Sequence, residues 1–538
     1  MGRHTGDYLL GTCCLAAALL LDLSNLASQH VLDPARLASS VNTTVHFSEL
    51  NATTALRYQP AISHKSEERV SCVLKNLARG TRIVVGSVDV SGGRHAFNVT
   101  VGGDQFAPIH SLPVTRFTLS AIRRRENGKN PILPILCGMV PQTVLPLAVA
   151  GNDGPHESPG RIFLTPHFMD TGAVHEPTEC RVIGQSPRVR VFLDERLAQS
   201  LSGGQILTWA EYLTYAAESR ALPLVDAWLG GIRDIDHDHK LSIVVTDLDR
   251  RGRSASESAP IHGCIRESDF SSESDFYGDI VYVDHRICGL PTNELAALLT
   301  HETTHAAVCS TRLDDTTHLS PTGKSSHACK DLHVPAWLNE AVAHFVELQC
   351  AATDVHAVGV SLNFQRRMDD FFANPAASPI VAAEDVLNLE ERRGGSRGAA
   401  TLFLARWFSS TETLQQFVSS QAAFERRIED LTEEPFVDVF RDWTLSLAAM
   451  SALPTLQTLP ESKTPMCDQR RLLHYDLLPA PNIPVGFSLL GTAFRCFECT
   501  EDIAFLLLES HDAAKLQISI IEPEIDISTI TTGVASHF

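Results

Sequence analysis

The chain of 538 residues has no long low-complexity run, no internal repeat and no excess of positive charge. The first absence excludes a disordered or fibrous protein, and 44% hydrophobic with 20% charged residues is the composition of a globular one. Its length exceeds what one hydrophobic core usually organises, so two or three domains are expected. The lack of positive charge argues against nucleic acid as a partner. Only 44 Lys and Arg stand against 64 Asp and Glu, a formal charge of −20, whereas binding a phosphate backbone requires clustered Lys and Arg. The excess acid is spread along the chain, where it serves solubility.

Long apolar runs are scarce too. One stretch stands out, from Tyr8 to Leu21, preceded by Arg3 and His4 and followed by polar LSNLASQH. That order predicts a secretory signal over residues 1–28, too short to span a bilayer comfortably. An N-terminal anchor is the alternative, and Cys13 in LGTC also resembles a lipoprotein attachment site. The expected location is secreted, cell-surface or periplasmic, with membrane contact only through this segment or a lipid. Thirteen cysteines, less Cys13 and Cys14, leave eleven, and in an exported protein several are expected to pair. Cys309 and Cys329 bracket a polar loop that a bond would staple by about 3 kcal/mol on a chain-entropy account. Cys264 and Cys288 flank another loop, and Cys496 and Cys499 form CFEC beside Cys467. A single CxxC without a matching pair is not evidence of zinc.

Residues 29–175 carry short alternating runs such as TRIVVGSVDV and RHAFNVTV broken by Gly, Pro and Asn, which predicts a β-rich domain. It contains three Asn-x-Ser/Thr sites, at Asn42, Asn51 and Asn98. From 176 to 453 a strand, a helical stretch and the buried-strand runs KLSIVVTDLD and DIVYVD precede a series of helices. Residues 454–538 return to strand periodicity and predict a small β-sandwich. The expected fold class is α+β, a central mixed domain flanked by N-terminal and C-terminal β-rich, sandwich-like domains.

Residues 301–305 read HETTH inside a helical run, LAALLTHETTHAAV, that starts after Pro291. Four residues make about one turn, so His301 and His305 direct imidazoles at a common point. Glu302, roughly 100° around the axis, reaches a water held there without ligating a metal. The rest of this helix is apolar, and three ionisable groups buried together are costly without a partner such as zinc. A second helix follows Pro335, and its WLNEAVAHFVE projects Glu340. A catalytic zinc keeps three protein ligands and one open position, and two histidines with one glutamate are a known set.

HETTH with WLNEA resembles the gluzincin metallopeptidases, in which the glutamate of an NE dipeptide on a following helix is the third ligand, as in thermolysin and the zinc aminopeptidases. Over about residues 176–453 the chain is similar to hyicolysin-like bacterial peptidases. TECRVIGQSPRVRVFLD, DIDHDHKLSIVVTDLD, DIVYVD, RGAATLFLARWF and FVDVFRDWTLSLA occur in the same order. The resemblance implies a zincin-like metallopeptidase domain in which His301, His305 and Glu340 bind Zn2+ and Glu302 is the general base of peptide hydrolysis.

The chain departs from that pattern in three places. The segment from His305 to Glu340 is longer than in the aminopeptidases. Arg397 stands where these peptidases carry a tyrosine near the oxyanion, as a stabiliser of negative charge or a solvated helix end. His344 stands where thermolysin has an acidic group, to hydrogen-bond a ligand or to pack. No GxMEN segment precedes HETTH, so protein or peptide substrates cut internally are expected rather than aminopeptidase action. An inert zincin-like binding protein is the alternative. Separately, Asp234, Asp236 and Asp238 in DIDHDHK resemble the start of a Ca2+ loop. Val245 occupies its twelfth position and His239 replaces its turn glycine, so a charged turn before a strand is the first expectation and Ca2+ the second.

Overall fold

A computed structural model describes residues 70–102, 114–118, 160–169, 172–250, 261–270, 274–317, 334–353, 367–382, 394–408, 410–450, 473–476, 478–479, 483–510 and 516–523. The signal or anchor segment, Asn42, Asn51, Cys329 and Cys467 lie outside the described residues.

The first four strands are β1 (Val70–Leu77), β2 (Arg82–Ser87), β3 (Arg94–Val101) and β4 (Val114–Thr118). None of them pairs with another of the four. Their partners come from the other end of the chain: β11 (Tyr475–Asp476), β12 (Val485–Leu490), β13 (Phe494–Glu498), β14 (Ile503–Ser510) and β15 (Leu516–Glu522). One sheet runs β1-β14-β3-β12 and a second runs β11-β13-β2-β15-β4. Ile83, Val85, Val99, Phe97, Phe497, Leu506, Leu508, Ile518 and Ile520 fill the core between them. The two flanking β domains expected from the sequence are therefore a single sandwich. Alternating periodicity marks a strand and its buried face, but it does not say which distant strand completes the ladder.

The other strands are β5 (Arg161–Met169), β6 (Gly172–Gln185), β7 (Val189–Asp194), β8 (Leu241–Thr246), β9 (Gly263–Cys264) and β10 (Ile280–Asp284). They form a six-stranded sheet in the order β5-β6-β7-β8-β10-β9. β5 and the whole of β6, including its residues 172–175, thus belong to the central sheet, so the central domain begins before residue 176. β7, β8 and β10 are mutually parallel, and β9 closes the sheet antiparallel to β10. Such strands are covered on both faces and read as continuous apolar runs. Every residue of β8 and β10 is buried, with Ile243, Val245, Val281 and Val283 facing the helices and Val244, Ile280 and Tyr282 facing the opposite side.

The helices are α1 (Gly203–Ala216), α2 (Leu222–Leu229), α3 (Thr292–Thr317), α4 (Ala336–Thr353), α5 (Gly395–Ala405), α6 (Thr411–Ser419), α7 (Phe424–Thr432) and α8 (Phe436–Met450). Local chemistry sets several ends. Ser202 and Gln205 form a reciprocal capping box for α1, and Gly230 ends α2 at φ 81°. The carbonyl of Pro291 accepts from Leu295 N–H, and that of Pro335 accepts from Asn339 N–H, opening the two helices that matter most. Val84, Phe494, Cys496 and Ile521 of the five-stranded sheet share a core with these helices. Trp443 of α8 meets Phe494 edge-on at 5.7 Å. The molecule is α+β, and among the described residues no helix is long and apolar enough to cross a membrane.

The expected disulfides are a correction. Among the described residues no disulfide joins two cysteines, and Cys72, Cys180, Cys264, Cys288, Cys496 and Cys499 are thiols. The reason is that the members of each pair pack in different cores. Cys288 packs in the helix-side core while Cys264 lies against the opposite face of the sheet, and Cys496 and Cys499 enter two different cores. Burial pushes the thiols of Cys288 and Cys499 up to about 12 and about 11, which keeps them protonated and inert.

Candidate metal centre

α3 and α4 lie side by side, and α5 packs on α4. Small residues allow the second approach. Thr401 donates its hydroxyl to Arg397 O at 2.8 Å and lies 3.5 Å from Ala341 O on α4, while on the side of α5 that meets the segment starting at Arg367 a side chain on Gly398 would collide with the Arg367 carbonyl oxygen, 2.5 Å away. Burial of Leu295, Leu299, Ala306, Val308, Trp337, Leu338, Val342 and Phe345 around the helix contact fixes their rotation. His301, Glu302, His305, Asn339, His344 and Glu347 are all less than a tenth exposed.

His301 Nε2 and His305 Nε2 face each other at 3.1 Å, with their rings at 88°. His301 Nδ1 lies 3.1 Å from Glu347 Oε2, and His305 Nδ1 lies 2.9 Å from Asn339 Oδ1. Those acceptors require a proton on each Nδ1, which leaves the two Nε2 lone pairs converging. Two lone pairs do not bond to one another; they need a cation or a shared proton between them. In a tetrahedral zinc site with Zn–N near 2.0–2.1 Å, two nitrogens are about 3.3 Å apart, close to the spacing here. Glu340 Oε2 is 3.6 Å from His301 Nε2 and 3.7 Å from His344 Nε2. Ligand-capable atoms of His301, Glu340 and His344 all lie within 4.8 Å of one another. Glu340 Oε2 and His344 Nε2 are buried without a well-aligned hydrogen bond. The residues present therefore fit a nitrogen- and oxygen-liganded divalent metal.

The charges fit the same picture. Burial works against charge on His301, but the Glu340 and Glu347 carboxylates override it and hold its pKa up at about 10. Burial, reinforced by the charge on His301, pulls His305 down to about 4. The two imidazoles are thus pushed in opposite directions, His301 toward its charged form and His305 toward its neutral one. Burial, with Arg367 and His301 beside it, takes His344 down to about 3. Glu340 stays well below the usual carboxylate range in spite of burial, chiefly because of Arg397, whose Nη1 is 3.1 Å from Oε2. Burial pushes Glu302 up to about 7, opposed by His301 and supported by Glu340 and Glu347.

His301, His305, Glu340, His344 and Arg397 meet in this one cluster, with Glu302 on the same helix, and the group whose ligand atoms all lie within 4.8 Å is His301, Glu340 and His344, with His305 joined to it through His301; Asp234, Asp236 and Asp238 lie apart from it. Arg397 is neither a solvated helix end nor aimed elsewhere: its side chain is a quarter exposed and engages Glu340. His344 donates from Nδ1 to Glu347 Oε2 at 2.8 Å, and its other nitrogen faces Glu340. Three further residues take part. Glu347, two turns after Glu340 on the same helix face, orients both His301 and His344; its seven-residue spacing from Glu340 was the available signal. Asn339 orients His305. Gly263 of edge strand β9 lies against Glu302, since a Cβ there would fall 2.7 Å from Glu302 Cγ and Oε1, and no local pattern marks it.

No family model matches the chain, and a search of curated proteins finds no significant match.

Proposed function

We propose that this protein is an exported zinc-dependent endopeptidase of gluzincin type. The observation that carries the reading is the convergence of His301 and His305 Nε2 beside Glu340, each imidazole anchored through its other nitrogen, with the Glu302 carboxylate one residue along the same helix. His301, His305 and Glu340 would hold the metal, with His344 adjoining. When bound there, zinc supplies a water acidified toward neutrality and polarisation of the scissile carbonyl.

The chain's own groups do the rest. Glu302, buried and close to neutral pKa, accepts the proton from the attacking water and delivers it to the leaving amine. Glu347 and Asn339 keep the imidazoles turned so that their Nε2 atoms face inward. Arg397 positions Glu340 and offsets its charge. The outer edge of β9 has no strand partner among the described residues, and an extended peptide laid along it would pass Glu302 at Gly263. That favours internal cleavage.

The Arg397–Glu340 ion pair supports a second reading, an inert fold in which a guanidinium and a protonated His301 satisfy the carboxylate and a ligand is bound elsewhere. Metal analysis together with casein hydrolysis separates the two. The first reading expects zinc in the wild type, and Glu302→Gln that keeps the metal while hydrolysis falls about 10²–10⁴-fold. Unchanged hydrolysis in Glu302→Gln would assign the activity to another group. A wild-type protein that takes up no zinc, or binds it without cleaving varied peptides, would favour the inert fold.

A further inference from the structure

The DIDHDHK segment, residues 234–240, enters β8 at the end of the sheet strands where β10 also begins. One carboxylate oxygen each from Asp234, Asp236 and Asp279 lies within 4.8 Å of the other two. Asp279, which immediately precedes β10, is 4% exposed, and its Oδ1 is buried with no hydrogen-bond partner. Asp234 Oδ1 and Asp236 Oδ1 are buried and unpartnered as well.

Positive charge near these groups is thin. Arg161 Nη1 stands 3.8 Å from Asp236 Oδ2, and the exposed His239 reaches Asp234 Oδ2 at 2.7 Å. Arg190 is taken up by Asp238, whose other oxygen accepts from Lys240 N–H. Burial, and then the neighbouring Asp236, push Asp279 up to about 8. Carboxylates withdrawn from water in this way must take up protons or share a cation. A contrasting group, Asp247, Asp284 and His285, has no such need, because Asp284 is saturated by Arg286 and by the N–H groups of Leu248 and Asp249.

We propose that Asp234, Asp236 and Asp279 bind a calcium ion that ties the 234–240 loop to the start of β10. The donors are all hard oxygens, and a span of 4.8 Å is what one ion covers with ligands at about 2.3–2.6 Å on either side. The two features that the segment lacks as a calcium loop are supplied another way. His239 adopts φ 61°, the left-handed turn that glycine usually provides. The carboxylate missing at Val245, which is buried inside β8, comes across the parallel ladder from Asp279, whose carbonyl accepts from Ser242 N–H at 3.0 Å. Gly278 leaves room for it: a Cβ there would fall 2.8 Å from Asp236 Oδ2. The site is distinct from the histidine cluster and does not depend on zinc.

The test uses the full-length protein, dialysed against EGTA, returned to chelator-free buffer and titrated calorimetrically with CaCl2, with thermal midpoints measured in parallel. One calcium per chain and a rise in midpoint are expected. Asp279→Asn and Asp236→Asn should each weaken calcium binding by about 100-fold or more with unchanged circular dichroism, and Asp234→Asn, the most exposed of the three, serves if either fails to fold. MgCl2 should bind more weakly than CaCl2. No calcium uptake by the wild type, a wild-type Kd in a folded variant, or equal affinity for magnesium would each overturn the assignment.

Discussion

Asp269 has no part in the metal cluster, yet its side chain is fully buried, accepting from Tyr282 O–H at 2.8 Å and paired with Arg266 Nη1 at 3.0 Å. Burial dominates and pushes its pKa from 3.8 up to about 6, against the pull of Tyr282 and Arg266. Below pH 3.8 the carboxyl is protonated in both the folded and unfolded chain. Between that value and about 6 the unfolded chain releases a proton that the folded protein keeps, so stability falls as pH rises, and above it the loss is complete. Against an Asp269→Asn variant, the wild type should therefore lose on the order of 3 kcal/mol across that window. Urea midpoints of both proteins at several pH values measure this, and parallel curves would refute it. Individual residues of the candidate metal centre were legible for a different reason: HETTH is local, and helical spacing alone puts His301 and His305 on one face. Glu347 lay within the same stretch as Glu340, but its task exists only because α4 lies against α3 and brings its carboxylate to His301 Nδ1.

At the scale of elements, the informative contact is between a helix and an edge strand. β9 consists of two residues, Gly263 and Cys264, and its register places Gly263 opposite Val283. The Glu302 carboxylate occupies the space a side chain at 263 would need. Gly263→Ala forces either that carboxylate or the strand to move by a good fraction of an ångström. Displacement of a reacting group on that scale costs about 100-fold in rate, so on the proposed peptidase reading hydrolysis should fall to that extent while zinc content stays at the wild-type level. Wild-type hydrolysis in a folded Gly263→Ala protein would place the base somewhere other than against β9. The sequence hid this contact because 38 or so residues and a strand crossing separate the partners, whereas the helices α3 and α4, with their proline starts and apolar faces, were readable locally. The disulfide expectation failed at this scale as well. Sequence separation brings Cys264 near Cys288, but the sheet puts them on opposite faces.

For the whole molecule, the two ends of the chain are mutually dependent. β1 pairs with β14, β2 with β13 and β15, β3 with β12 and β14, and β4 with β15. Removing everything after Leu453 would leave each of the first four strands without any of these ladders. It would also uncover the apolar positions Ile83, Val85, Phe97 and Val99, which now face the sandwich core. Unpaired, apolar strand edges aggregate. The loss would extend to the central domain, because Val84, Phe494, Cys496 and Ile521 cover the helices from the sandwich side, and Phe440 of α8 lies so close to Gly86 that a Cβ there would be 2.9 Å from its ring. A chain ending at Leu453 should therefore be largely insoluble, and its β1–β4 amides should exchange with solvent without protection. Supplying residues 454–538 as a separate chain during expression should restore both solubility and protection, since the ladders need the strands and not the covalent link. A soluble truncated protein whose β1–β4 amides are protected as in the full chain would show that the N-terminal strands form a domain of their own.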